Sequence, residues 1–138
     1  MNKYKIMKSL LLLGIFALIF TDCKKEEDEG DELKINFKTE AGYTASDATL
    51  PKGSQVKIGV EAETEKATDP IIKFNISESV NNGANATVYS EDLSNTDYEY
   101  DYEFSLDDSV PGNTHTYTFT ITNRDGINAQ KNLTVTVE

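Results

Sequence analysis

The segment from residue 117 to residue 123 reads Tyr-Thr-Phe-Thr-Ile-Thr-Asn, and residues 133 to 137 read Leu-Thr-Val-Thr-Val. In both segments every second residue is apolar, and the residues between them are threonines. Because successive side chains of a β-strand point to opposite faces, this alternation predicts two strands with one face in a core and the other in water. Threonine suits the outward face, since β-branched side chains fit a pleated backbone. We therefore expect an all-β domain.

The same alternation recurs in segments further upstream. Their apolar residues are Leu33, Ile35 and Phe37; Val56, Ile58, Val60 and Ala62; Ile72, Phe74 and Ile76; Ala86 and Val88; and Tyr98, Tyr100, Tyr102, Phe104 and Leu106. Turn residues such as Asn81-Asn82-Gly83 separate the segments. About seven short antiparallel strands at near-regular spacing indicate a sandwich or a barrel. Two sheets that share one core are the simplest packing, so we expect a β-sandwich that fills residues 33–138. The longest segment, Tyr98–Leu106, is expected at the centre of the core.

A family resemblance implies that this sandwich is immunoglobulin-like. Pro111-Gly112, followed by Tyr117–Gly126 and Leu133–Val137, resembles the last two strands of immunoglobulin-like bacterial surface domains, of which the polycystic-kidney-disease type is the nearest. The Trp-Asp segment of that type is absent, because the chain has no Trp. Tyr117 has two interpretations: a tyrosine corner, whose hydroxyl bonds back across the turn between two strands, or a plain core residue.

Residues 1–22 have the organisation of a secretory signal peptide. Lys3, Lys5 and Lys8 form a charged start, and an apolar run from Leu10 to Phe20 follows. As a helix this run reaches only about 16 Å, whereas the hydrocarbon core of a bilayer is about 30 Å thick. We therefore expect a signal-peptide core rather than a membrane span.

The signal ends in Phe20-Thr21-Asp22-Cys23, which resembles the lipobox of bacterial lipoproteins in the looser form found in Bacteroidetes. The resemblance implies that Cys23 is the lipidated, palmitate-bearing first residue of the mature chain and anchors it to the outer membrane. The alternative is ordinary secretion with a free thiol. Cys23 is the only cysteine of the sequence, so no internal disulfide can form.

Residues 23–32 are expected to be an acidic linker. Six of the seven residues from Glu26 to Glu32 are acidic, and such a run repels itself and stays extended and solvated. Lys24 and Lys25 followed by acidic residues resemble the surface-export signal of Bacteroidetes lipoproteins. The resemblance implies display on the outer face of the outer membrane.

The charge of the chain restricts its partners. The formal net charge of −11 argues against nucleic acid, whose phosphates would be repelled. It also argues against a polybasic patch that binds lipid headgroups. The expected membrane contact is therefore the N-terminal lipid alone.

No group of residues in the sequence indicates catalysis, a metal or a cofactor. His115 is the only histidine, and it is expected on the core side at the start of its strand, beside a turn. A Ser–His–Asp arrangement would need a histidine oriented by an acid and facing a nucleophile. A zinc site would need more nitrogen or sulfur ligands than one histidine supplies.

Two groups of acidic residues are candidate sites. The carboxylates of Asp97, Glu99, Asp101 and Glu103 should share the outer face of one strand. A solvated face, balanced by Lys57 or Lys73 on an adjoining strand, is the favoured interpretation. The second group consists of Glu91-Asp92 and Asp107-Asp108, and the alternative for it is a weak calcium site.

Two tyrosines fall outside the alternating pattern and are candidate glycan contacts. Tyr43 lies in a predicted loop, and Tyr89 is out of phase with Ala86 and Val88. Separately, Asp108-Ser109-Val110 resembles the short O-glycosylation acceptor of Bacteroidetes proteins, which implies that Ser109 is a candidate modification site.

The sequence thus predicts a surface-displayed, non-catalytic binding or adhesion module for a glycan or protein ligand. The alternative is a structural or accessory subunit of an outer-membrane assembly, such as a glycan-uptake complex. In that case an exposed sheet edge would pair with a strand of a partner. An enzyme is the least supported hypothesis.

Overall fold

A computed structural model of the chain describes residues 32–138. The signal peptide, Cys23 and all of the acidic linker before Glu32 lie outside the described residues. Within 32–138 there is no helix with the length and apolar character needed to cross a membrane.

The described residues form two sheets of β-strands. The strands are β1 (Leu33–Phe37), β2 (Ala48–Leu50), β3 (Gln55–Thr64), β4 (Ile71–Val80), β5 (Ala86–Asn95), β6 (Asp97–Ser105), β7 (Thr114–Asn123) and β8 (Asn128–Val137). One sheet has the order β1-β3-β6, and the other has the order β2-β8-β7-β4-β5. Neighbouring strands are antiparallel except β2 and β8, which are parallel. The predicted all-β sandwich is confirmed.

The core lies between the two sheets and is built by the alternation seen in the sequence. In β7 the odd-numbered residues from Tyr117 onward are buried, and the threonines between them are only half-buried. The fully buried side chains include Ile58 and Val60 from one sheet and Phe74, Phe119 and Ile121 from the other. Full burial of such a side chain stabilises the fold by roughly 1.5–3 kcal/mol relative to exposure.

Two turns have the backbone geometry that their residues demand. In Val110-Pro111-Gly112-Asn113 the amide of Asn113 donates to the carbonyl of Val110 at 3.1 Å, and Gly112 has φ +87°. Proline at the second position of a β-turn and glycine at the third are typical of type II. In the β4–β5 hairpin, Asn81 (φ 52°) and Asn82 (φ 58°) are both left-handed, which matches the type I′ turn of hairpins.

The strand directions give the sandwich two distinct ends. Leu33, at the start of β1, pairs with Thr64, at the end of β3. Glu32, where the linker joins, therefore lies at what we call the proximal end, together with the loops 65–70 and 124–127. The turns 51–54, 81–85 and 106–113 lie at the opposite, distal end.

Glu32 contacts the domain, although the sequence places it at the end of the linker. Its carbonyl accepts a hydrogen bond from the amide of Glu65 at 2.8 Å, and its carboxylate pairs with Lys66. Its side chain is only 13% exposed. The folded unit therefore includes Glu32.

Buried polar groups join two loops at the proximal end. Asn123 is fully buried and its amide group donates to the carboxylate of Asp69, which is 3% exposed. The other carboxylate oxygen of Asp69 accepts the amide of Asp125 at 3.0 Å. These bonds satisfy the polar groups that the core would otherwise leave unpaired.

The number of strands agrees with the prediction of about seven. The described residues form eight strands, and the additional one is β2, which pairs in parallel with the end of β8 and is too short to show an alternation.

The expected position of one strand was wrong. The segment Tyr98–Leu106 was expected at the centre of the core, but β6 is an edge strand of the three-stranded sheet and its tyrosines are only partly buried.

The expected inward faces of β4 and β5 were also partly wrong. Ile72 is 37% exposed, whereas Ile71 is fully buried, because the register shifts between Ile71 and Lys73. In β5, Val88 is 40% exposed, and Tyr89 and Leu93 pack against the core in its place. A tyrosine and a leucine cover more apolar surface at this edge than Ala86 and Val88 would.

Adjacent residues of β7 should differ sharply in their effect on stability. Phe119→Ala removes a fully buried ring and should lower the free energy of unfolding by about 3–5 kcal/mol. Thr118→Val keeps the β-branched shape on the outward face and should change it by less than about 0.5 kcal/mol. Urea unfolding followed by circular dichroism measures both, and equal losses would refute the assignment of the two faces.

Candidate functional site

A group of polar side chains around His115 closes the distal end of the sandwich. Nδ1 of His115 lies 2.7 Å from a carboxylate oxygen of Glu78, and Nε2 lies 3.0 Å from a carboxylate oxygen of Asp108. The hydroxyl of Tyr117 donates to the same oxygen of Glu78 at 3.0 Å. We call Glu78, Asp108, His115 and Tyr117 the His115 cluster.

The cluster depends on the register of two neighbouring strands. Val80 of β4 pairs with His115 of β7, and Glu78 pairs with Tyr117. Pairing across the strands therefore brings Glu78 to the imidazole and the phenol. Asp108 reaches the other side of the ring from the turn that precedes β7.

Asp108 also orders the distal loop that carries it. Its carboxylate accepts the amide of Val110 at 2.9 Å and the side-chain amide of Asn113 at 2.8 Å. Asn113 in turn accepts a bond from Asn81 in the β4–β5 turn at 2.9 Å. The imidazole of His115 is thus connected to both distal turns.

The hydrogen-bond partners determine the charge of His115. Ionised carboxylates only accept hydrogen bonds, so both ring nitrogens must donate to satisfy Glu78 and Asp108 together. Burial alone would lower the pKa of His115, but the hydrogen bonds to Glu78 and Asp108 outweigh it and raise the pKa above its ordinary value of 6.5. The hydrogen bond from Asn113, with those from Val110 and His115, lowers the pKa of Asp108 to about 2.

The arrangement is suited to structure rather than to proton transfer. Both nitrogens of His115 are engaged by carboxylates, which leaves neither of them to deprotonate a nucleophile. Within residues 32–138 no three His, Cys, Asp or Glu side chains are grouped so as to hold a metal ion. A cleft of about 250 Å³ is lined by the His115 cluster together with Tyr102 and Phe104.

The structure distinguishes between the two interpretations of Tyr117. The side chain is 4% exposed, and its ring lies 4.7 Å from that of Phe104, between centroids. Its hydroxyl donates to Glu78 and not across the turn to the backbone. Tyr117 is therefore a core residue with a polar partner, and the tyrosine-corner interpretation is wrong.

Tyr89 is packed inside a group of aromatic rings. Its ring stacks on Tyr100 at 4.5 Å between centroids and also contacts Phe74. The hydroxyls of Tyr89 and Tyr98 both donate to one oxygen of Glu91, at 2.9 and 2.6 Å. The bond to Glu91, with some burial, raises the pKa of Tyr89 to about 12. Its ring is thus engaged in closing the sandwich between β5 and β6.

Tyr43 covers a glycine on the outer surface of the three-stranded sheet. A Cβ added to Gly59 would lie 2.5 Å from a ring carbon of Tyr43. The Tyr43 hydroxyl donates to Asp101 at 2.9 Å, and the ammonium groups of Lys57 and Lys38 lie 5.0 and 5.7 Å from the centre of its ring. Tyr43 and Tyr89 lie on different sheets and form no common platform.

The outer surface of the three-stranded sheet is charged and ion-paired. Its charged residues, which we call the charged face, are Lys34, Lys38, Lys57, Glu61, Glu63, Asp97, Glu99, Asp101 and Glu103. Lys57 pairs with Asp101 and Glu103, at 3.1 and 3.0 Å. The predicted balancing of the acidic residues by Lys57 is confirmed, whereas Lys73 lies on the other sheet. Sequence reasoning missed Lys38, which pairs with Glu99 at 3.0 Å.

The outer surface of the five-stranded sheet carries mainly uncharged polar side chains, in contrast to the charged face. Its hydroxyl and amide side chains, which we call the uncharged face, are Asn75, Ser77, Thr87, Ser90, Thr116, Thr118, Thr120, Thr122, Asn128, Gln130, Asn132 and Thr134. Lys73 and Asp92 lie opposite each other at the end of this surface. Asp47 borders it, where its carboxylate accepts the amide of Thr134.

Hydrogen bonds across the strands hold parts of the uncharged face in place. The hydroxyls of Thr116 and Thr134 are 2.8 Å apart. Gln130 donates to Thr120 at 3.0 Å, and the Thr122 hydroxyl donates to Asn128 at 2.7 Å. These bonds fix the orientation of the side chains that form them. The sequence showed the alternating threonines but could not show that β4, β5, β7 and β8 align them on one surface.

Ser109 is exposed in the distal loop, between Asp108, which is bound to His115, and Val110, which is 53% exposed. The hydroxyl is thus accessible at the end of the domain away from the linker. Cys23, the predicted lipidation site, lies outside the described residues.

No family model and no curated protein matches the sequence. Among solved structures, the chain is similar to Spo0M, a sporulation control protein from Bacillus subtilis, at 13% identity and a TM-score of 0.42. The match covers 78% of this chain and 49% of Spo0M, so the chain spans about half the length of that protein.

The His115 cluster predicts a pH range of maximum stability. Since the folded pKa of His115 lies above 6.5, its contribution is complete below pH 6.5 and is lost as the pH rises through the folded pKa. The contribution of Asp108 is complete above pH 3.8 and is lost as the pH falls towards 2. Urea unfolding between pH 6 and 9 should therefore show stability falling with pH.

The variant His115→Gln should flatten this alkaline decline, because His115 is the only histidine. The imidazole signals of the native chain, followed by NMR, should titrate above pH 6.5. A titration below that pH would contradict the doubly bonded imidazolium.

Proposed function

We propose that this chain is a non-catalytic binding or adhesion module, anchored by a lipid on Cys23 and displayed on the outer face of the outer membrane. The observation that carries the proposal is the contrast between the two outer surfaces of the sandwich. Charged residues make up 27% of the sequence, yet the charges on the outward positions of β4, β5, β7 and β8 are limited to Lys73 and Asp92.

The contrast favours contact through the uncharged face. Removing water from an ionised group costs far more than removing it from a hydroxyl or an amide that regains a hydrogen bond. The cores of binding surfaces are accordingly depleted of Lys, Glu and Asp. The three lysines of the charged face are already paired with carboxylates of the same face, and these ionised groups suit exposure to water.

The position of the linker supports display of this surface. Glu32 enters at the proximal end, so the uncharged face runs along the side of the domain and the distal loops point away from the attachment. The acidic residues before Glu32 repel an anionic lipid surface. The domain is therefore held off the membrane with the uncharged face accessible.

A second candidate function rests on the edge of the five-stranded sheet. β5 has ten residues, and among the strands of residues 32–138 it pairs only with β4. Its other edge therefore offers backbone groups that no described strand pairs with. The acidic residues of β6 protect that edge strand from pairing, whereas Asp92 is the one charge on the outward side of β5. A partner strand added to β5 would make the chain an accessory subunit of an outer-membrane assembly.

Anchoring can be tested at Cys23. Mass spectrometry of the mature protein should find a lipid-modified N-terminus at Cys23, and the protein should fractionate with the outer membrane. Cys23→Ser should release the protein or stall its processing. An unmodified N-terminus elsewhere on a freely soluble protein would contradict the anchor.

Binding can be tested with a printed array that carries both glycans and peptides. The full chain should bind at least one class of spot, and the double variant Thr118→Lys/Thr120→Lys should lose that binding, because the lysines place hydrated charges in the uncharged face. The matched control Glu61→Gln/Glu63→Gln changes the net charge by the same amount on the charged face and should bind as the native chain does. Binding that survives in the threonine variant would refute the assignment of the surface.

Co-purification separates the second candidate from the first. A stoichiometric partner that remains bound to the threonine double variant and is lost when β5 is altered by Ser90→Pro would favour the accessory subunit. Ser90→Pro must first be shown by circular dichroism to keep the sandwich folded.

A further inference from the structure

We infer that the uncharged face binds an uncharged polysaccharide, whose chain lies across the strands and hydrogen-bonds to the rows of hydroxyl and amide groups. The inference rests on the proposed function and names the class of its ligand. It follows from the chemistry of the face, from its spacing and from the charges that surround it.

The chemistry of the face matches that of sugar hydroxyls. A threonine or serine hydroxyl can donate one hydrogen bond and accept two, and the amides of Asn and Gln supply both donors and an acceptor. Sugar hydroxyls have the same dual capacity. Each contact can therefore form in whichever direction the sugar requires, and no ionised group has to lose its water.

The register of the strands arranges these groups in rows. Ser90, Asn75, Thr120 and Gln130 are successive partners across β5, β4, β7 and β8. Thr87, Ser77, Thr118 and Asn132 form the next row in the same way. With about 4.8 Å between neighbouring strands, each row spans about 14 Å. A polymer laid along a row meets a polar group at every strand.

The charges of the chain disfavour the other ligand classes. A formal net charge of −11 repels anionic polysaccharides. Protein-binding surfaces are enriched in Tyr, Trp, Phe, Met and Arg, and the outward positions of β7 and β8 contain none of these. The tyrosines that could stack on sugars at other surfaces, Tyr43 and Tyr89, are already engaged by Asp101, Glu91 and neighbouring rings.

This kind of site gives weak binding for a single molecule, because it relies on hydrogen bonds that replace those to water. Many copies on one cell surface compensate, since attachment of one domain raises the effective concentration of polymer at its neighbours. The inference therefore predicts weak affinity for the isolated chain and firm retention of cells that display it.

The test measures binding of the full lipoprotein, in micelles of a polyoxyethylene detergent, to immobilised polysaccharides. Yeast mannan, dextran and xyloglucan serve as uncharged probes, and alginate and polygalacturonate serve as anionic ones. At least one uncharged probe should bind, and the anionic probes should not. Thr120→Lys should weaken binding at least tenfold, whereas Thr120→Ser should retain it.

The matched control is Glu61→Gln, which changes the net charge by the same amount on the charged face and should leave binding unchanged. Equal urea midpoints for the variants would show that folding is intact. Binding to alginate or to none of the probes would overturn the inference, as would binding that Thr120→Lys leaves unchanged.

These outcomes are distinguishable from failure of the proposed function. One outcome is that the chain binds peptides but no glycans on the printed array, and that the threonine double variant abolishes that binding. In that case the chain is a binding module whose ligand is a protein. If no ligand depends on the uncharged face, the proposed function itself fails.

Discussion

The fold depends on the packing of Phe74 and Phe119 against aromatic rings from the opposite sheet. Both side chains are fully buried, and they lie side by side on β4 and β7, with 6.4 Å between ring centroids. From the three-stranded sheet, Phe37 approaches Phe119 at 5.6 Å and Tyr100 approaches Phe74 at 5.4 Å. Because the single cysteine can form no internal disulfide, apolar contacts of this kind join the two sheets.

This packing also determines which side chains lie on the outer surfaces of the two sheets. Each strand that buries alternate residues must present the others outward, so the core fixes which side chains share an outer surface. In one sheet those residues are mainly carboxylates and the three lysines that pair with them. In the other sheet they are mainly hydroxyls and amides. The same constraint that stabilises the domain therefore produces two surfaces of different chemistry, and the proposed binding function uses the difference.

The sequence predicted most of the strands because their alternation is strong, and it placed His115 correctly beside a turn at the start of β7. It could not predict the partners of that ring, since Glu78 reaches it only through the pairing of β4 with β7. It predicted the wrong inward face for β5. Ala86 and Val88 lie at alternate positions and so do Tyr89 and Leu93, and the sequence alone does not show which of the two sets faces the core. It identified the threonines of β7 but not the uncharged face, which requires the order of four strands.

The central claim is that ligand contacts are confined to the uncharged face. The threonine methyl groups of a selectively labelled sample report on it directly, because Thr116, Thr118, Thr120 and Thr134 lie on this surface and Thr44, Thr64 and Thr96 lie elsewhere. On addition of an uncharged polysaccharide, our account predicts NMR shift changes in the first group and none in the second. Changes confined to the second group, or centred on the distal loops, would contradict it.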